Sequence, residues 1–276
     1  MLYQNKHSKT RARAHRNMPV AGFYFMLMLA FIMMLSLSVA QASNQSTAEL
    51  VSSVNRALID DAASAASYVE MANKLLDQQQ FNKALHLYSK AILSDREIDD
   101  AFLGRSLAYG SIGKAHEAIA DLNVFILRNP RHSMAHVYRG VRYMAQGNTE
   151  YAEENLQTAI KLNPKNAQAY DDLGVLYAQQ GHIQKALKYF GQTLRLDPYH
   201  EMAYHNLAIA YYLLDDNEKA LKSVNRAIRL MPESRDTYIL KAQVLDAMGK
   251  NEQAKEVRTY AQYLEDGAWT GSAAIN

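Results

Sequence analysis

The stretch AYDDLGVLYAQQGHIQKALKYFGQTLRLDP, Ala169 to Pro198, carries the rule by which the chain is built. Its closing proline belongs to a series: Pro130, Pro164, Pro198 and Pro232 lie thirty-four residues apart. Ala84, Ala118, Ala152, Ala186, Ala220 and Ala254 keep the same spacing, as do Gly113, Gly147 and Gly181, with Asp215 standing in before Gly249. A fixed period of this length is the signature of a repeat architecture. Six units tile without a gap: 65–98, 99–132, 133–166, 167–200, 201–234 and 235–268.

The opening stretch predicts one helical hairpin. Tyr170, Leu173, Gly174 and Tyr177 fall on one helix face, and the missing side chain of Gly174 lets a second helix approach closely. Gly181 permits the turn. Ala186 supplies a small contact on the second helix, Phe190 one turn later is expected to fill the space between neighbouring pairs, and Pro198 stops that helix near Asp197. A hairpin of this kind cannot bury its own apolar face, so neighbours must stack.

The pattern of aromatic, Leu-Gly, Tyr, Ala, aromatic and Pro resembles the tetratricopeptide repeat (TPR) family over residues 65–268. Repeat four matches it almost fully; repeat five departs at Ala208, Asp215 and Val224, repeat one ends at Arg96 instead of Pro, and repeat six puts Arg258 at the buried aromatic place. Arg105 and Arg139 stand where the family often has Leu. The resemblance implies an all-α, right-handed superhelical solenoid of six hairpins. Within it, Arg105 and Asp121 fall on facing helices of one hairpin and are expected to pair beside Tyr109, the alternative being that Arg105 snorkels to solvent.

The 276 residues, 49% hydrophobic and 21% charged, suit a folded chain. Net charge is +2, but residues 1–42 hold five basic side chains and no acid; removing those five from 30 leaves 25 basic against 28 acidic residues, a net −3. That balance gives no reason to expect a nucleic-acid partner. In residues 1–42 a basic segment precedes an apolar run from Val20 to Val39 and the small-residue site AQAS. This is either a signal peptide cut after Ala42 or a retained N-terminal membrane anchor, the only membrane contact expected. Both readings send the rest of the chain out of the cytoplasm, to a periplasm. There is no cysteine, hence no disulfide and no thiolate site. Residues 43–64 read as a linker whose Leu50, Val51, Val54, Ala57 and Leu58 form a stripe able to cap repeat one. Residues 269–276 are a C-terminal tail that begins with Trp269.

Nothing in the chain reads as catalytic. His200 and His205 are five apart, which does not match the i, i+4 spacing of a metalloprotease helix. His132 and His136 have that spacing, but one precedes a helix and the other holds a core place, so no metal or cofactor is expected. The functional surface implied by the family resemblance is the concave groove lined by first helices. It is read here as Leu103, Leu107, Met134, Val137, Val141, Met144, Asp171, Val175, Met202, His205, Ile209 and Tyr212. Ile239 and Gln243 hold the matching places of repeat six. Of the family's carboxylate clamp for acidic C-termini only Asn73 survives. An apolar groove instead suits the apolar face of a partner helix or an extended hydrophobic segment of a protein or peptide. The expectation is therefore a non-enzymatic adaptor of the bacterial cell envelope, or else an accessory regulator recruiting a cell-wall enzyme, pilus or secretion component. Oligomeric state is not legible.

Overall fold

The computed structural model describes Glu49, Ser52 and residues 64–264. The segment 1–42, most of the linker with its apolar stripe, and the tail with Trp269 lie outside the described residues. The description below concerns the compact unit Asp61–Asn276.

Residues 64–77 are helical (α1). The helices that follow are α2 (Phe81–Ser94), α3 (Asp99–Ser111), α4 (Ala115–Arg128), α5 (Ser133–Ala145), α6 (Thr149–Leu162), α7 (Ala167–Gln179), α8 (Ile183–Leu196), α9 (Glu201–Tyr212), α10 (Asn217–Leu230), α11 (Arg235–Ala247) and α12 (Asn251–Ala261). Among the described residues there is no strand. Each helix packs on the next, and α3, α5, α7, α9 and α11 also touch in succession. The second helices, α4, α6, α8, α10 and α12, do not touch one another. First helices therefore crowd the inner side of the array and second helices spread along the outer side.

The periodic residues account for this packing. All six alanines of the Ala84 to Ala254 series are fully buried. The place held by Gly113, Gly147, Gly181 and Gly249 has φ between 71° and 78°, and Asp215 and also Gln79 adopt φ 57° there. Gln79 completes the sixth turn without a glycine, a substitution the sequence did not reveal. The prolines follow helices that end two residues earlier. Repeat one stops at the same place without proline, because the Asp95 Oδ1 accepts from the Glu97 N–H at 2.8 Å. Asn163 and Asp197 repeat this turn at 3.1 and 3.0 Å, so the Asx side chain helps end the helix independently of proline.

A Cβ on Gly174 would lie 2.4 Å from the Phe190 ring, which is completely enclosed. Phe190 thus packs into the gap left by Gly174 in its own hairpin, which corrects its assignment to the space between neighbouring pairs. Gly191, on the next residue of α8, has nothing within 4 Å of an added Cβ. Identical substitutions are expected to act with opposite sign: Gly174→Ala should destabilise the array by about 1–3 kcal/mol through overpacking, and Gly191→Ala should stabilise it by about 0.5–1 kcal/mol through helix propensity. Urea midpoints of the two variants check both signs.

The expected Arg105–Asp121 pair is present and two-pronged: Nε and Nη2 donate to the two carboxylate oxygens, each at 2.8 Å. Nη1 also donates to Ser89 Oγ of the preceding repeat at 3.1 Å. The guanidinium lies 5.9 Å from the Tyr109 ring centroid. Arg258, at the aromatic place of repeat six, is exposed and pairs with Asp246.

Candidate partner-binding groove

The first helices form the wall, and their N-termini are fixed by a recurrent cap. His132 Nδ1 accepts from the Ala135 N–H at 3.1 Å, Asn166 Oδ1 from Ala169 at 3.2 Å, His200 Nδ1 from Ala203 at 3.2 Å and Ser234 Oγ from Thr237 at 3.4 Å. Both histidines that suggested metal spacings therefore replace the usual Ser, Asp or Asn cap. His136 donates from Nε2 to the Pro130 carbonyl at 3.1 Å. Among the described residues no three metal-ligating side chains gather. Asn73, the remnant of the clamp, accepts the Tyr88 hydroxyl at 2.6 Å.

Leu103, Leu107, Met134, Met144, Ile209 and Tyr212 are half-buried on the wall, and Val141, Met202 and His205 are buried with a sliver of surface. Val137, Val175 and Asp171 are enclosed, which corrects their assignment to a contact strip. The reason is close approach: α5, α7 and α9 touch, and Val137, Val141 and Val175 join the central core with Leu156, Leu173 and Phe190. An apolar strip open to water along the whole wall is thus not what these valines make.

Asp171 and Asp172 form a buried polar island in that wall, both with no exposure. Asn206 Nδ2 donates to both Asp171 oxygens, at 3.4 and 3.2 Å, and Gln168 Nε2 donates to Asp172 Oδ1 at 3.1 Å. Burial raises the Asp171 carboxyl to about 6, against the opposing pull of His200. Asp172 stands well above the usual carboxylate range through burial and the neighbouring Asp171 charge.

The wall opens between α9 and α11. There a cleft of about 300 Å³ is lined by His205, Ile209, Tyr212, Leu213, Asp236, Ile239, Leu240 and Gln243. Its lining combines apolar side chains with a few polar groups, the usual make-up of a binding cleft. His205 Nδ1 lies 3.0 Å from Thr237 Oγ1, which also meets Ser234 Oγ at 2.7 Å. Burial lowers the His205 imidazole to about 4, with the Asp236 charge pulling the other way. The sequence reading placed His205, Ile209, Tyr212, Ile239 and Gln243 but missed Leu213, Asp236 and Leu240. Asp236 holds the second place of repeat six, equivalent to Met134 and Met202, and could have been found by extending that place.

This arrangement, helical hairpins stacked so that their first helices build one wall with a cleft, defines an α-solenoid of the kind that binds along its inner face. Family models described as "TPR repeat" and "Tetratricopeptide repeat" match residues 140–181 and residues 167–200 and 202–234, respectively. Residues 140–200 and 202–234 are thus tetratricopeptide repeats. Among solved structures it is similar to PilW, described as a widely conserved type IV pilus biogenesis factor, with TM-score 0.65, 18% identity, and coverage of 72% of this chain and 92% of that one. A tetratricopeptide repeat protein from Parabacteroides merdae gives TM-score 0.63 and 20% identity, covering 72% of this chain and 78% of that one. A chain of the APC/C hetero-tetramer Cut9–Hcn1 gives TM-score 0.62 and 19% identity over 72% of this chain, but only 43% of its own length is spanned. At these identities the likeness is one of fold. Among curated proteins none matches.

Proposed function

We propose that the protein is a non-enzymatic scaffold of the bacterial cell envelope that holds the apolar face of a partner helix, or an extended hydrophobic segment, in the cleft between α9 and α11. The observation carrying this reading is the cleft itself: Ile209, Tyr212, Leu213, Ile239 and Leu240 converge on it, with Asp236 and Gln243 beside them. Apolar side chains of the partner would pack against the five apolar residues, and Asp236 and Gln243 would meet its polar groups. The TPR fold supports a role in protein–protein interaction. A pilus-associated role is supported only by the fold-level likeness to PilW.

Replacing Ile209 and Ile239 together by Asp should weaken partner capture at least about tenfold. Helicity should be unchanged, since both side chains are half-buried on the open wall. Undiminished capture would move the functional surface elsewhere. For the envelope part of the reading, a reporter enzyme active only outside the cytoplasm, fused after Asn276, should be active. Activity of a cytoplasmic reporter instead would refute export, and the mass of the mature N-terminus, starting at Ser43 or at Met1, separates cleavage from anchoring.

A further inference from the structure

The outer side of the array carries a charge pattern that the groove does not use. Helix α8 has three basic residues, Lys185, Lys188 and Arg195, and no acid; α10 has Lys219, Lys222, Arg226 and Arg229 against the single acid Glu218. Lys188 and Lys222 occupy one place of the repeat, and Arg195 and Arg229 another. All four are exposed, and among the described residues none has an ion-pair partner within 4 Å. Lys185 and Lys219 lie over tyrosine rings, and Lys219 is also paired with Asp216. At the places of Lys188 and Lys222 the stripe is bounded, α6 having Glu154 and α12 Glu256, whereas at the place of Arg195 and Arg229 it runs on to Lys161 of α6.

We infer that this stripe is a docking surface for an anionic phospholipid bilayer. Second helices lie on the spreading, outer side of the array, so their exposed cations can reach a broad planar surface, whereas enclosing a peptide would need a concavity. Tyr199, largely exposed, stands at the edge of the stripe, with the Arg226 guanidinium 5.8 Å from its ring centroid and 5.6 Å from that of Tyr204. Tyrosine beside arginine is the combination favoured at headgroup depth. Each basic side chain near an anionic surface contributes about a fivefold gain in partition, so the four exposed residues together give on the order of a hundredfold or more.

The test uses the compact unit Asp61–Asn276, which has its own core and lacks the apolar run. It should sediment with mixed phosphatidylglycerol–phosphatidylcholine vesicles at low salt, be released by high salt, and ignore pure phosphatidylcholine vesicles. Lys188→Glu, Arg195→Glu, Lys222→Glu and Arg229→Glu together should abolish sedimentation with the helical spectrum intact. The milder Lys188→Gln, Lys222→Gln pair should lower partition by more than tenfold, while Lys83→Gln, Lys90→Gln on α2 should leave it unchanged. Failure of the wild type to sediment, or equal sedimentation of the fourfold variant, overturns the inference. Retention on polyglutamate through the same four residues, without vesicle binding, assigns the stripe to an acidic polypeptide and also overturns it.

Discussion

Arg105→Ala should lower the stability of the array by about 3 kcal/mol, because it removes both hydrogen bonds to Asp121 and leaves that carboxylate buried without its cation. The loss is greater than a surface ion pair would give, since most of it is the cost of the stranded charge. It also severs the link to Ser89, which joins repeat one to repeat two. Asp121→Ala should be the milder change, since Arg105 is less deeply placed and can turn its guanidinium to solvent. In the double-mutant cycle the coupling should exceed about 1 kcal/mol. Arg139 provides the internal control. It holds the same place one repeat later but donates to the neutral Asn155 and Asn123 oxygens, each at 2.8 Å, so Arg139→Ala should cost nearer about 1 kcal/mol. Coupling of zero between Arg105 and Asp121 would mean that the pair is broken in solution.

Asp171→Asn should stabilise the protein by about 3 kcal/mol above pH 7, with the gain vanishing below about pH 4. The sign follows from proton uptake. With its carboxyl raised to about 6, folded Asp171 keeps a proton between pH 3.8 and 6 that the unfolded chain has lost. Its contribution is therefore favourable at low pH and is lost as pH rises through 6. Asn at this position can still accept from Asn206 and carries no charge to bury. His205 acts in the opposite sense. Lowered to about 4, it refuses a proton that the unfolded chain accepts below pH 6.5, so stability drains as pH falls from 6.5 to 4. In the wild type Asp171 opposes His205 across this range, and Asp172, also raised by burial, acts in the same sense as Asp171. In the Asp171→Asn protein Asp172, still raised by its own burial, continues to oppose His205, so the gain over the wild type should grow from pH 4 to pH 6. Identical urea midpoints for wild type and variant at pH 7.5 would show that Asp171 is not desolvated.

The period made the hairpins, the small contacts at the Ala84 to Ala254 series and the Arg105–Asp121 pair legible, because each depends on spacing within one repeat. Burial along the groove depends instead on how closely successive first helices cross. That is a tertiary quantity, so Val137 and Val175 could not be told from Ile209 by place alone. The caps by His132 and His200 were hidden because histidine is an uncommon cap and the imidazole suggested metal. Gln79 was missed because nothing in a glutamine announces a left-handed turn; only its position in the repeat does. The basic stripe of α8 and α10 disappeared into a chain average that is slightly acidic once the first 42 residues are removed.

The most direct test of the scaffold reading is photocrosslinking in intact cells, with a photoreactive side chain at Ile239 in the cleft and, separately, at Leu127 on the outer face. Leu127 is 83% exposed, so lack of access cannot explain a negative result there. The account predicts one discrete protein adduct from Ile239, lost on adding Ile209→Asp, and none from Leu127. An adduct from Leu127 with none from Ile239 would contradict it.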